Sequence, residues 1–362
     1  MTVYWSLFLL PVMFTLISIK VDRNIKNLLW YCYGVLIFFL VCYRYEVGGD
    51  WSNYLTNYKH YFSKPISVVF KGGSRDYGSE AIQWLSLNYL GSSLLSNLIC
   101  GTIFILGLLR LCKSTTMPIL ANVISIPYLV IVVGMGYTKQ SAAIGLFMWA
   151  LYSLRQGKEM RYYFYIIIGA LFHKTLIVML LFGYLYSYKF SLKYLIKNLI
   201  ILSFLVFIFY WFLEGRFAHY IKHFITDQHA ESSGAFIRLS LNIFCTSLFI
   251  IFYRRWKLRY QDTKLIMLFI IGSVLLFIIS LNYSTLADRM ALYILPMQII
   301  ILANIPILIY STPHRTIYVL FIITLYMTIL FVWLNFAVHS SFWMPYKNYL
   351  FSISTTASGL PL

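Results

Sequence analysis

From Val3 to Leu334 the chain is built of long apolar runs separated by short charged or Gly/Asn-rich breaks. A helix needs about 20 apolar residues to cross roughly 30 Å of hydrocarbon, and runs of near that length recur throughout. Twelve are legible: residues 3–19, 28–43, 92–110, 118–136, 140–154, 162–172, 174–188, 198–213, 235–253, 265–281, 290–310 and 316–334. The pattern predicts an all-α polytopic membrane protein of about 12 transmembrane helices, one transmembrane domain over 1–362. No small-residue cleavage site follows the first run, so it reads as a first span. Residues 162–188 read as a hairpin or re-entrant pair meeting at His173-Lys174, because a single long helix would put Lys189, Lys193 and Lys197 on the wrong side. Two stretches are long enough to be outer loops, 44–91 and 214–234. Within the first, residues 81–90 alternate polar and apolar positions and predict an amphipathic helix at the membrane surface.

Composition excludes a soluble globule: 60% of the chain is hydrophobic and only 11% charged, against about 45–50% apolar in ordinary domains. Charge then orients the spans, since cytoplasmic loops are enriched in Lys and Arg. With the N-terminus outside, the inner loops hold 17 of the 29 bases against 3 acids (net +14), and the outer side 12 bases against 8 acids (net +4). The overall +18 is therefore positive-inside topology; the bases form no continuous stripe of the kind nucleic acid requires. Aromatics are abundant, 31 Tyr, 29 Phe and 9 Trp, which suits interfacial belts and also the stacking of sugar rings. The five cysteines include no CxxC pair, and P-loop, HExxH and GxSxG sequences are absent, so disulfide, zinc, ATPase and hydrolase readings lack their residues.

Polar chemistry gathers in a few places. Arg44-Tyr-Glu46-Val-Gly48-Gly49-Asp50-Trp51, followed by Tyr54, closes the second run with two acids and a base. Paired glycines there allow a tight turn and close approach of backbone to a ligand. Gly136-Tyr137-Thr138-Lys139-Gln140 joins two runs with almost no loop, and an ionisable group at such depth is a functional-site hypothesis. His173-Lys174 interrupts an apolar run, and imidazole suits proton abstraction near neutral pH. Asp288-Arg289 precedes Tyr293; the pair is either a local ion pair at a helix start or a planar fork aimed at phosphate. His219, His223 and His229 in the second outer loop make only a weak metal signal, and no metal or cofactor is expected. In the predicted topology Arg44, Lys139, His173, Lys174 and Arg289 all open on the same outer face.

These patches, RYEVGGDWSNY at 44–54, GYTKQSAAIG at 136–145, FHKTLI at 172–177, ADRMALY at 287–293 and WMPY at 343–346, resemble those of the EpsG/Wzy-type polysaccharide polymerases, including O-antigen polymerases of lipopolysaccharide biosynthesis. One departure is Lys139, where that family commonly has Arg; Lys binds phosphate as a point charge without the bidentate contact. The resemblance implies a bundle like those of glycosyltransferases that use lipid-phosphosugar donors, in the bacterial inner membrane with its active site facing the periplasm. It implies metal-independent transfer of a growing glycan from undecaprenyl diphosphate onto a lipid-linked repeat unit, among membrane lipids and alongside a chain-length regulator. On that reading Arg44, Lys139, Lys174 and Arg289 surround diphosphate, and His173 is the favoured base with Glu46 and Asp50 as rivals. Gly48, Gly49, Trp51, Tyr54, Tyr137, Gln140 and Tyr293 are the candidates for substrate contact. Two other classes stay open: a flippase or secondary transporter of lipid-linked sugars, and a membrane O-acyltransferase using His173.

Overall fold

A computed structural model describes residues 1–17, 22–71, 76–188 and 234–352, with isolated positions between 189 and 233. The span expected at 198–213 and the loop expected at 214–234 with its three histidines lie outside the described residues, those isolated positions and Gly234 excepted. Elsewhere every predicted run falls on a helix. In chain order these are α1 (Thr2–Ile17), α2 (Arg23–Cys42), α3 (Trp51–Tyr61), α4 (Ser67–Lys71), α5 (Tyr77–Leu90), α6 (Leu94–Lys113), α7 (Pro118–Ser125), α8 (Thr138–Arg155), α9 (Glu159–Phe172) and α10 (Met179–Ser187). Then come α11 (Ala235–Arg259), α12 (Thr263–Ser280), α13 (Ser284–Ala291), α14 (Leu295–Asn304), α15 (Thr312–Phe336) and α16 (Tyr349–Ser352), with two short strands, β1 (Arg44–Tyr45) and β2 (Lys347–Asn348).

Fewer of the described helices than of the predicted runs are by themselves long and apolar enough to cross. Among the described residues five helices are long and apolar enough to span a bilayer, or six if one bent pair counts as a span. The reason is length. At 1.5 Å per residue the 14 residues of α9 reach about 21 Å, short of the hydrocarbon thickness. α8 buries nearly all of its residues, and so works as a core helix. The run expected at 290–310 is also two pieces: α13 and the stretch Leu295–Leu308 meet at 52°. Pro296 opens the second piece, where its missing N–H is no loss.

Two helix relations set the frame. α6 and α8 run parallel and touch backbone to backbone, because Gly107 faces Gly145: a Cβ on Gly107 would lie 2.1 Å from the Gly145 carbonyl oxygen. Small residues allow such close approach inside a membrane. The return path between them is α7 and a π-helical stretch, Ile126–Gly134, with Pro127 in its first turn. α9 and the following segment, a 3-10 turn (Lys174–Val178) and α10, fold back antiparallel about His173. Tyr162 donates to the Met179 carbonyl at 2.6 Å, and Gly169 lies against Leu176. The reversal expected at His173-Lys174 is thus present.

One end of the bundle is closed by Arg155, which donates to Asp262 at 2.7 Å and Ser114 at 3.0 Å, while Trp256 donates to the other Asp262 oxygen at 2.9 Å. The other end carries residues 44–50, 136–140, 173–175 and 288–293. There the expected outer loop 44–91 is largely helical, folded as α3, α4 and α5. α5 begins at Tyr77 rather than 81 and turns its polar side inward, burying Ser79, Glu80, Gln83 and Ser86, with Tyr89 74% exposed.

Candidate active site

The site is assembled by four chain reversals at that end. The first is the turn after α2. Gly48 has φ 108°, and a Cβ there would sit 2.4 Å from the Met135 carbonyl oxygen, so only glycine fits. Its N–H donates to Phe342 at 2.8 Å, and Asp50 N–H donates to the Gly136 carbonyl at 3.3 Å. The paired glycines thus lock two reversals together, with the Trp343 indole packed against Gly49 and Gly136. Trp343 itself is buried and donates to Ile131 at 2.8 Å, a carbonyl in the π-helical stretch.

Arg44 is 2% exposed. One end of its guanidinium donates to the Val41 carbonyl and the other to the Thr138 hydroxyl. Its backbone pairs with Asn348 across the two-stranded ladder, and Asn97 donates to its carbonyl at 3.2 Å. Arg44 therefore holds the start of α8, and with it Lys139, in place. Glu46, at φ 51°, pairs with Lys347 near the surface. Trp51 stands edge-on to Tyr45; the side chain of Tyr54 lies outside the description.

His173 caps α9 in an extended conformation between two helices. Its Nδ1 lies 4.0 Å from Asp76, whose other oxygen accepts the Lys174 backbone N–H at 3.0 Å. Burial lowers the imidazole pKa; Asp76 opposes this, and the charges of Lys139, Arg289 and Lys174 add to the lowering. The same cations act on Asp50: burial raises its carboxyl pKa, while Arg289 and Lys139, a hydrogen bond from Asn53, and Arg44 pull it down. Lys139 also approaches Glu80 at 3.8 Å. Asp50, His173, Lys139 and Arg289 thus share one electrostatic neighbourhood, with Arg44 behind it.

Behind the His173 turn, Thr175 and the buried Tyr293 share a hydrogen bond of 2.7 Å, tying the break between α13 and α14 to the α9 reversal. Arg289 is exposed on the last turn of α13. The two carboxylate oxygens of its neighbour Asp288 accept hydrogen bonds from Nε and Nη2 of Arg238 in α11. Arg238 also lies over the Tyr128 ring at 5.1 Å. Tyr137 stands among Arg238, Asp288, Asp50 and Arg289, and Gln140 is buried.

The sequence reading missed Asp76, Glu80 and Arg238 as members of this site. The available signal was scarcity: the chain has only 11 acids, and Asp50, Asp76, Glu80 and Asp288 all stand at this end. Arg238→Ala removes the charge-assisted hydrogen bonds that half-buried Asp288 accepts, at a cost of about 1.5–3 kcal/mol. Thermal unfolding of the purified protein should show this loss, and the Arg238→Ala/Asp288→Ala pair should recover part of it. A double-variant loss equal to the sum of the two single losses would mean that the ion pair contributes nothing.

Among the described residues, no three His, Cys, Asp or Glu side chains converge in the manner of a metal site. The EpsG family model matches residues 27–348. No curated protein and no solved structure matches the chain.

Proposed function

The chain belongs to the EpsG family, a membership that carries a polysaccharide-polymerase type of role at a membrane, and from it we propose that the protein extends a glycan on a polyprenyl diphosphate carrier. The donor is the growing glycan on undecaprenyl diphosphate, and the acceptor is a lipid-linked repeat unit on the periplasmic face of the bacterial inner membrane. An acceptor hydroxyl attacks the anomeric carbon of the donor. The new glycosidic C–O bond forms as the bond from that carbon to the diphosphate oxygen breaks, the hydroxyl proton passes to a base, and the carrier leaves as its diphosphate.

The observation that carries this reading is the meeting of His173 and Asp76 with Lys139, Lys174 and Arg289 at one end of an apolar bundle. A leaving lipid diphosphate develops charge that fixed cations stabilise best where water is excluded. Lys139 and Arg289 take that role, and Lys174 adds its charge at the turn. Neutral imidazole is the form of His173 that accepts a proton, and burial favours it. Asp76, 4.0 Å from Nδ1, attracts the ring once it takes up the proton, while Asp50, whose carboxyl pKa is raised by burial, is suited to hydrogen bonding with sugar hydroxyls. Arg44 acts through Thr138 and through its charge.

Purified protein in liposomes, supplied with lipid-linked repeat units on the outer leaflet, should convert them into a ladder of longer glycans on a gel, and should do so in excess EDTA. Substrate that crosses the bilayer at constant length would replace this reading with transport. Loss of the ladder in EDTA, restored by Mg²⁺, would overturn the assignment of the diphosphate charge to Lys139 and Arg289.

A further inference from the structure

The end of the bundle opposite the site, where Arg155 meets Asp262, contains a cavity of about 310 Å³ between α1, the start of α7, the end of the α14 segment and the first turns of α15. Leu16, Met117, Ile307, Val319 and Leu320 give it apolar walls, and Arg315 is its charged residue. A second cavity of about 230 Å³ adjoins it across Ile307 and is lined by Arg255, Arg259 and Tyr310. No acid lines either one.

Arg315 is held by one hydrogen bond from its Nη2 to the Ile309 carbonyl at 2.9 Å. Its Nε is buried without a hydrogen-bond partner, and a buried donor on a permanent cation is costly to leave unmade. The same cavity wall includes Thr312 and Thr316, so it borders the first turn of a 25-residue helix whose cap residue, Ser311, makes no side-chain cap bond. Helix N-terminal N–H groups and an arginine fork together are a phosphate-binding arrangement; here Pro313 has no N–H and that of Arg315 is bonded to Ser311, so the arginine carries most of it.

We propose that these adjoining cavities bind one anionic glycerophospholipid of the bordering leaflet, its phosphate at Arg315 and the first turn of α15 and an acyl chain along Leu16, Val319 and Leu320. The apolar walls select a lipid over a free phosphate ion; Leu16 and Leu320 are 46% and 45% exposed, open to the surrounding hydrocarbon. Three arginines with no carboxylate select an anionic headgroup over a zwitterionic one, whose ammonium would find no partner. The volume lies at the low end of small-molecule pockets, about 300–1,000 Å³, enough for a headgroup and the start of a chain but not for an oligosaccharide.

The test is native mass spectrometry of the full-length protein in detergent, with phosphatidylglycerol and phosphatidylcholine of identical acyl chains. Phosphatidylglycerol should be retained about tenfold more strongly. Arg315→Gln should reduce it to the phosphatidylcholine level, and Arg315→Lys should restore part of the difference. Thr316→Phe, which fills the cavity without removing charge, should also lower retention, and serves where the arginine variant fails to give a monodisperse peak. Equal retention of both lipids, or retention unchanged in Arg315→Gln and Thr316→Phe, overturns the proposal. Displacement by millimolar inorganic phosphate would assign the cavity to a soluble anion, and preferential retention of polyprenyl phosphate to the carrier lipid; either also overturns it.

Discussion

Alanine at position 173 should remove polymer from cells and from liposomes while leaving the protein inserted and monodisperse. A positioned general base contributes about 10²–10⁴ in rate, so the purified variant should fall by that factor in kcat with little change in KM. The wild-type rate should also carry the imidazole's signature. The base acts when deprotonated, so the rate rises with pH through its pKa; burial lowers that pKa, which places the acid limb of the pH profile below the ordinary value of about 6.5. Asp76 raises the pKa, so Asp76→Asn should move the acid limb further toward low pH as well as lowering kcat. That shift separates a positioning role for Asp76 from a purely structural one through its bond to the Lys174 N–H. Wild-type chain lengths in His173→Ala, or an acid limb that stays put in Asp76→Asn, would remove the dyad from the reaction.

Leucine at position 145 should abolish the folded protein. A Cβ there would lie 2.5 Å from the Phe104 Cα and 2.6 Å from the Ile103 carbonyl oxygen. Both are backbone atoms of α6, so no rotamer relieves the collision and the two helices must separate. Overpacking a core typically costs about 1–3 kcal/mol; a forced separation of α6 from α8 exceeds that and also moves Lys139, at the start of α8, away from the site. Gel filtration should show aggregate in place of a monodisperse peak. Gly272→Ala is the control: its Cβ would meet only Ile294 at an ordinary 3.6 Å, and removal of a helical glycine should be neutral or stabilising by about 0.5–1 kcal/mol. A monodisperse, active Gly145→Leu would show that the parallel contact is dispensable.

Helix positions were legible because hydrocarbon imposes them: runs read at 92–110 and 316–334 became Leu94–Lys113 and Thr312–Phe336. What hydropathy does not encode is whether a helix faces lipid or other helices. α8 is apolar for the second reason, since it is buried along nearly its whole length, whereas α9 exposes Phe164 and Ile167. The break at Leu292–Ile294 was hidden for a similar reason, since all three residues are apolar and only Pro296 marked it.

At the site, strict alternation of runs was enough to put Arg44, Lys139, His173 and Arg289 at one end. Their partners were not legible. Which acid meets which base depends on how helices distant in sequence lean together, and nothing in the chain pointed to Arg238 as the residue that donates to Asp288. Gly48 and Gly49 were legible as a tight turn, but what approaches them in the structure is the backbone of Met135 and Gly136 and the Trp343 ring.

The pairing of Arg44 with Asn348 has a bearing on biogenesis. Each helix can enter the bilayer as it emerges from the ribosome, but the turn that carries Arg44 stays unfastened until Asn348 has been translated. A nascent chain that stops short of Asn348 therefore lacks the partner strand of Arg44, however many helices it has threaded. By the same logic, two separately expressed halves should regain activity only when the distal fragment docks its tail onto the proximal one.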